Sequence, residues 1–204
     1  MAALHGKEAL AAEVGTAKFH ADWTRPDHRV RRLLAEFIGM SGLTFVLSGG
    51  PAALARYGGA VLATYQIVLI LSLVSALWLV AASYLLGDIS THFNPAMTLA
   101  FALRGDMGWP MAGGYVVVQL TAAAGGSLLA RAFFGPEGRL AATTPQPGMS
   151  AQAMAFAAVI TFGLVVLVLA IANGPKLNGQ FVPLAVGAYI MAWARWAARS
   201  MALP

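Results

Sequence analysis

The chain has no cysteine, so disulfides, thiolate catalysis and cysteine-ligated metal centres are excluded. Charge is scarce as well. Asp, Glu, Lys and Arg make up 10% of the 204 residues, against about 25% in a soluble globular domain. So little charge cannot cover a water-facing surface. Histidine occurs four times, as His5, His20, His28 and His92, and three of these lie in the N-terminal arm. A multi-histidine metal centre within the apolar part is therefore excluded. No nucleophile–base pair or metal cluster is visible, so neither enzymatic activity nor a cofactor is expected. The net charge of +5 could suggest nucleic acid, but no basic groove with interleaved aromatics is present and no such partner is expected. Lys and Arg excess is what the cytoplasmic segments of a membrane protein carry.

What the chain does have is apolar sequence in long uninterrupted runs; 59% of its residues are hydrophobic. A membrane-crossing helix needs about 20 such residues. Five runs qualify: Leu33–Ala52, Ala60–Leu86, Pro110–Phe134, Ala151–Asn173 and Phe181–Ala198. The expected fold class is an all-α membrane protein, with residues 33–204 as its transmembrane domain and lipid as its solvent. Residues 1–32 read as a polar arm, since Glu8, Glu13, Asp22 and Asp27 are mixed with the basic residues and no signal-peptide core follows. Arg29, Arg31 and Arg32 immediately before the first run place the N-terminus in the cytoplasm. The expected location is a bacterial inner (plasma) membrane, crossed several times.

One apolar piece is too short to span. Residues 94–103 are helix-compatible, with Pro95 at a first helical position. Ten residues of helix rise only about 15 Å, half of a hydrocarbon core about 30 Å thick. Such a segment enters and returns on one side, or lies at the interface. A re-entrant turn is tolerated only against protein or a water-filled cavity. A weak internal echo, Leu43-Thr-Phe-Val-Leu47 and Ile160-Thr-Phe-Gly-Leu164 at an offset of 117 residues, fits an inverted repeat with three spans and one broken segment per half.

The segment Gly87-Asp-Ile-Ser-Thr-His-Phe-Asn-Pro-Ala-Met-Thr-Leu-Ala100 resembles the G-x-I-S-G-A-H-x-N-P-A-V-T-L-A stretch of the major intrinsic protein family, the aquaporins and glycerol facilitators. Flanking stretches agree: Ala35-Glu-Phe-Ile-Gly39, Gly114-Tyr-Val-Val-Val-Gln-Leu120 and Val182-Pro-Leu-Ala-Val-Gly187. The resemblance covers roughly residues 33 to 192. It implies an aquaporin-like bundle with five spans and one half-helix in this chain, and passive conduction of water or small uncharged solutes such as glycerol. It also implies a homotetramer with one pore per subunit. Asn94, Pro95 and Ala96 would then line the pore, with the Asn94 backbone capping the half-helix while its amide donates into the lumen. The partial positive charge of a helix N-terminus would repel cations and protons there. The alternative is an ordinary helix N-cap in a cytoplasmic loop.

By the same resemblance His92 stands at the cytoplasmic pore mouth, where the plain alternative is an interfacial histidine with no role. Glu36 would accept backbone hydrogen bonds and brace the re-entrant loop; ionisable residues in spans are costly and functional by default. An interfacial pair with Arg32, four residues earlier, explains it otherwise. Gln119 would support the loop, or simply bond between helices. The selectivity-filter positions fall at Ser75 and near Ala194, and a small residue such as Ser75 suggests a wide filter.

The chain also departs from the family pattern. The second NPA motif, its following Arg and a sixth span are missing; the echo places the second Asn near position 211, beyond Pro204. The tail from Trp193 onward, with Arg195 and Arg199, suggests a frameshift or truncation close to Ala192. The first loop is one residue short, with Ser90-Thr-His92 where the family has S-G-A-H, and Ala157 stands where a bracing glutamate is usual. Two rival functions follow. One is a truncated, non-conducting relative of the channels. The other is a secondary transporter, which would need coupling charges at mid-membrane that spans two to four lack.

Overall fold

The computed structural model describes residues 26–57, 63–135, 150–173 and 181–200, and these form six helices. They are α1 Pro26–Tyr57, α2 Thr64–Leu86, α3 Pro95–Arg104, α4 Trp109–Phe134, α5 Ser150–Asn173 and α6 Val182–Ser200. Four of them contain stretches long and apolar enough to cross a membrane. The fifth expected span forms helix α6, but its apolar stretch among the described residues, Val182–Trp193, is shorter than the others. The chain is an all-α, multi-pass membrane protein.

Helix α1 is the one whose limits the hydrophobic run misplaces most. It starts at Pro26, inside the polar segment assigned to 1–32, and it continues through Pro51 to Tyr57. Pro26 suits a first helical turn, since its missing N–H has no helical partner there. At 32 residues the helix is about 48 Å long, more than a hydrocarbon core requires. Its first turns carry Arg29 and Arg31 on the exposed surface. Residues 1–25 of the arm lie outside the described part.

The packing of α1 decides the topology. Helix α2 runs antiparallel to it: Trp78 seats on Gly42 and donates to the Gly39 carbonyl at 3.0 Å, while Leu71, further back along α2, lies at Gly50. Helix α4 runs parallel to it. Ser41 Oγ donates to Ala122 O at 3.2 Å, Thr44 lies at Gly126, and Ser48 Oγ lies 3.2 Å from Ser127 Oγ. A chain that goes out along α1, back along α2 and out again along α4 must begin α4 on the side where α2 ended. Helix α3 therefore starts and finishes on one side. It is a re-entrant half-helix.

The α1–α4 pairing is the most extensive in the bundle, followed by α2–α6; α3 packs on α4 and α5, and α5 packs on α6. The α1–α4 approach depends on Gly126, where a Cβ would collide with the Ser41 carbonyl and the Thr44 hydroxyl. Small residues permit such approaches where the hydrophobic effect between helices is absent. At the α5–α6 contact Tyr189 occupies the space over Gly163 and donates to Ile160 O at 2.9 Å. Outward-facing residues such as Leu85, Val117, Phe133, Met154 and Phe162 are apolar and exposed, as a lipid-facing surface requires.

Gly126 and its neighbour separate packing from composition. A methyl at Gly125 would meet only the Phe37 ring in ordinary contact. Gly126→Ala is expected to destabilise the protein by about 1–3 kcal/mol, the usual cost of overpacking, while Gly125→Ala leaves it nearly unchanged. Thermal unfolding of the two variants in detergent checks this.

Candidate functional site

The site grows from the turn between α2 and α3. Helix α2 ends at Leu86, whose carbonyl accepts from Ile89 N at 2.8 Å and Ser90 N at 2.9 Å. The chain then runs without regular structure through His92 and Phe93 to Asn94, and α3 begins at Pro95. Pro95 at the first helical position gives up no bond. The helix closes at Gly105, whose φ of 85° is the left-handed conformation glycine adopts at C-caps. Gly105 N donates to Ala102 O and Asp106 N to Phe101 O, each at 3.0 Å, in the Schellman pattern.

Asn94 caps this half-helix with its side chain as well as its backbone. Its Oδ1 accepts from Ala96 N at 2.8 Å, and its carbonyl accepts from Thr98 N at 3.0 Å. A backbone N–H can only donate, so the atom facing Ala96 is the amide oxygen, and the nitrogen points away. Among the described residues that nitrogen has no acceptor. Asn94, Pro95 and Ala96 are all partly exposed, so two N–H groups stand on an accessible face at the positive end of a helix dipole.

The turn is held from below by Glu36 of α1, which is completely buried. Its Oε1 accepts from Ser90 Oγ at 2.6 Å and from His92 N at 2.8 Å. Its Oε2 accepts from Phe93 N and from Gln119 Nε2, both at 2.8 Å. Four donors thus meet the four lone-pair sites of one carboxylate. Ser90 spends its single proton on Glu36, so the Tyr115 hydroxyl, 2.8 Å away, donates to Ser90. Arg32, also buried, lies within electrostatic reach of Tyr115, His92 and the same site.

Gln119 of α4 extends the network, since its second amide proton reaches Thr98 Oγ1 at 3.1 Å. Thr98 Oγ1 also lies 3.1 Å from His92 Nδ1 and 3.2 Å from Asn94 O. The His92 ring is stacked on Phe101 at 4.9 Å and set edge-on to Tyr115 at 5.4 Å. One set of contacts therefore brings Glu36, His92, Asn94 and Gln119 together. Ser75 stands apart: it is buried on α2 and donates to Leu71 O at 2.8 Å within its own helix. Ala194 falls in helix α6, and its side chain lies outside the described part.

Four residues of this site escaped the sequence reading: Ser90, Phe93, Thr98 and Tyr115. Two had a usable signal, because Thr98 follows Asn94 by four residues and Tyr115 precedes Gln119 by four, which is one helical turn. Phe93 had none. It is the sole non-glycine with positive φ among the described residues, at 45°, a conformation that costs roughly 1–3 kcal/mol. Its N–H bond to Glu36 and its buried ring hold it there.

A re-entrant half-helix capped by Asn94, with its turn bonded to a buried carboxylate of the first span, defines a helical membrane protein built around a broken segment. The family model described as "Major intrinsic protein" matches residues 22–200. The chain belongs to the major intrinsic protein family. That match extends past Ala192, so it includes the stretch for which the sequence suggested a break. The chain is 32% identical to aquaporin NIP1-2 of Oryza sativa subsp. japonica over 194 residues, covering 91% of this chain and 61% of the relative. It is 36% identical over 112 residues to aquaporin NIP1-4 of the same plant, covering 54% and 41%. The chain thus spans about half the length of these relatives. Their plant origin does not support the bacterial location expected above. The fold is similar to that of the X-ray structure of the aquaglyceroporin from Plasmodium falciparum, with a TM-score of 0.63, 19% identity, and coverage of 81% of this chain and 72% of that one.

Glu36→Gln keeps the shape but places an NH2 group against donors. It is expected to destabilise the folded protein by about 3 kcal/mol, the scale for breaking a buried charged network. Denaturant unfolding in mixed micelles checks this, with Gln119→Glu, which brings a second carboxylate against the first, expected to be at least as damaging.

Proposed function

We propose that the chain is the greater part of a passive channel for water or small uncharged solutes such as glycerol. The single observation that carries this is the Asn94 amide nitrogen, which has no acceptor among the described residues and stands on an accessible face at a half-helix N-terminus. A passing hydroxyl or water accepts from it. A cation meets the positive end of the helix dipole and is repelled. Pro95 and Ala96 keep the same face small.

In this reading Glu36 and Gln119 brace the re-entrant loop, and His92 stands at its cytoplasmic mouth beside Phe101. Ser75 and the position near Ala194 form the selectivity filter, which the small side chain of Ser75 leaves wide. Residues 1–32 form a cytoplasmic arm and 33–204 the transmembrane domain, in a plasma membrane. The channels assemble as tetramers, and conduction is diffusive and needs no cofactor. The names of its similar proteins, aquaporin and aquaglyceroporin, support the same solute classes.

Stopped-flow light scattering of proteoliposomes tests this reading. Vesicles with the chain should shrink in a sucrose gradient faster than empty ones, with no dependence on an ion gradient. Asn94→Leu should lower the rate to the lipid background. A folded wild-type chain at background, or flux that saturates and follows an ion gradient, would overturn the proposal.

A further inference from the structure

Asn94 can act at one depth only if something stops the turn from sliding along α1. Hydrogen bonds to Glu36 orient the turn, but a carboxylate on a flexible side chain follows its partners over some distance. A steric stop lies one residue before Asn94. The Phe93 ring fills the space where Gly39 lacks a side chain, and a Cβ built on Gly39 would fall among the ring atoms Cδ1, Cε1 and Cζ. The slot is walled by packed side chains. Trp78 of α2 seats in the same way over Gly42, one turn further along the same face of α1, and its indole donates to the Gly39 carbonyl. Ala35, Ala82 and Leu86 close the remaining sides.

We propose that Gly39 and Phe93 are positioning residues of the proposed channel, a slot and wedge that set the depth of the half-helix N-terminus. The positive φ of Phe93 follows from this geometry. The chain turns the Phe93 ring into α1 while the very next residue is the extended N-cap of α3. Glu36 supplies direction and the slot supplies depth, so the Asn94 amide stands where both constraints are met. The inference rests on the channel reading for its consequence, but not for its geometry.

The absence of native cysteine provides a reporter. Ala96→Cys, in the full chain reconstituted in lipid, is reacted with a small water-soluble thiol reagent while water permeability is measured on the same vesicles. Gly39→Ala should change the Cys reaction rate by about tenfold, the scale of a displaced packed side chain. Adding Phe93→Leu, which removes the outer ring atoms, should restore it towards the parent rate. Where Gly39→Ala yields no folded protein, Phe93→Ala alone empties the slot and should change the reporter rate in its place. An unchanged rate in the single variants, or no restoration in the pair, overturns the proposal. If the parent conducts no water but the reaction rates follow this pattern, the channel reading falls and the positioning stands. If permeability persists with unchanged reaction rates, the reverse holds.

Discussion

The structure depends on one carboxylate that is out of water and fully supplied with donors. Burying Glu36 without partners would be prohibitive. Burying it against four hydrogen bonds turns the same cost into specificity, because every other arrangement of the loop leaves donors and acceptor unpaired. Each of its partners does a different job. His92 N and Phe93 N belong to a turn with no regular structure, Ser90 leads to Tyr115, and Gln119 leads to Thr98. Backbone N–H groups at membrane depth must be satisfied by protein, and here one side chain of the first span satisfies two of them.

The remaining architecture keeps that carboxylate and the half-helix in register. Because α1 and α4 run parallel and in close contact at Gly126, Glu36 and Gln119 present their side chains at the same level. Because α2 runs back along α1, it delivers the turn at that level. The half-helix then needs no span of its own. Its ten residues return at Gly105 to start α4, and an accessible amide is left at its N-terminus. The family membership and the fold agree with this arrangement.

Much of the fold was legible because lipid imposes simple rules. Apolar runs of membrane length gave five helices whose limits differ from the observed ones by a few residues, apart from α1. There the run ended at Ala52, but the helix passes Pro51 and begins seven residues earlier, since helical bonding continues into polar sequence beyond the lipid. Glu36 and Asn94 were visible because a charge in a span and an Asn-Pro before a short apolar helix are each rare. Thr98 and Tyr115 were marked only by their one-turn spacing from Asn94 and Gln119, and Ser90 by nothing. Uncharged polar residues in spans usually bond to their own helix, as Ser72, Ser75 and Thr121 do here, so composition cannot separate the two uses. Nothing local marks Phe93, whose backbone is set by a slot 54 residues earlier in the chain.

The most direct test of the Glu36-held turn is amide hydrogen exchange in lipid nanodiscs, resolved at His92 and Phe93. Both amides should exchange slowly, on a par with those inside α2, although they lie in a segment without helix or strand. Exchange as fast as that of the 105–108 connection would show that the carboxylate does not hold the turn, and would remove the basis for the direction in which the turn presents Asn94.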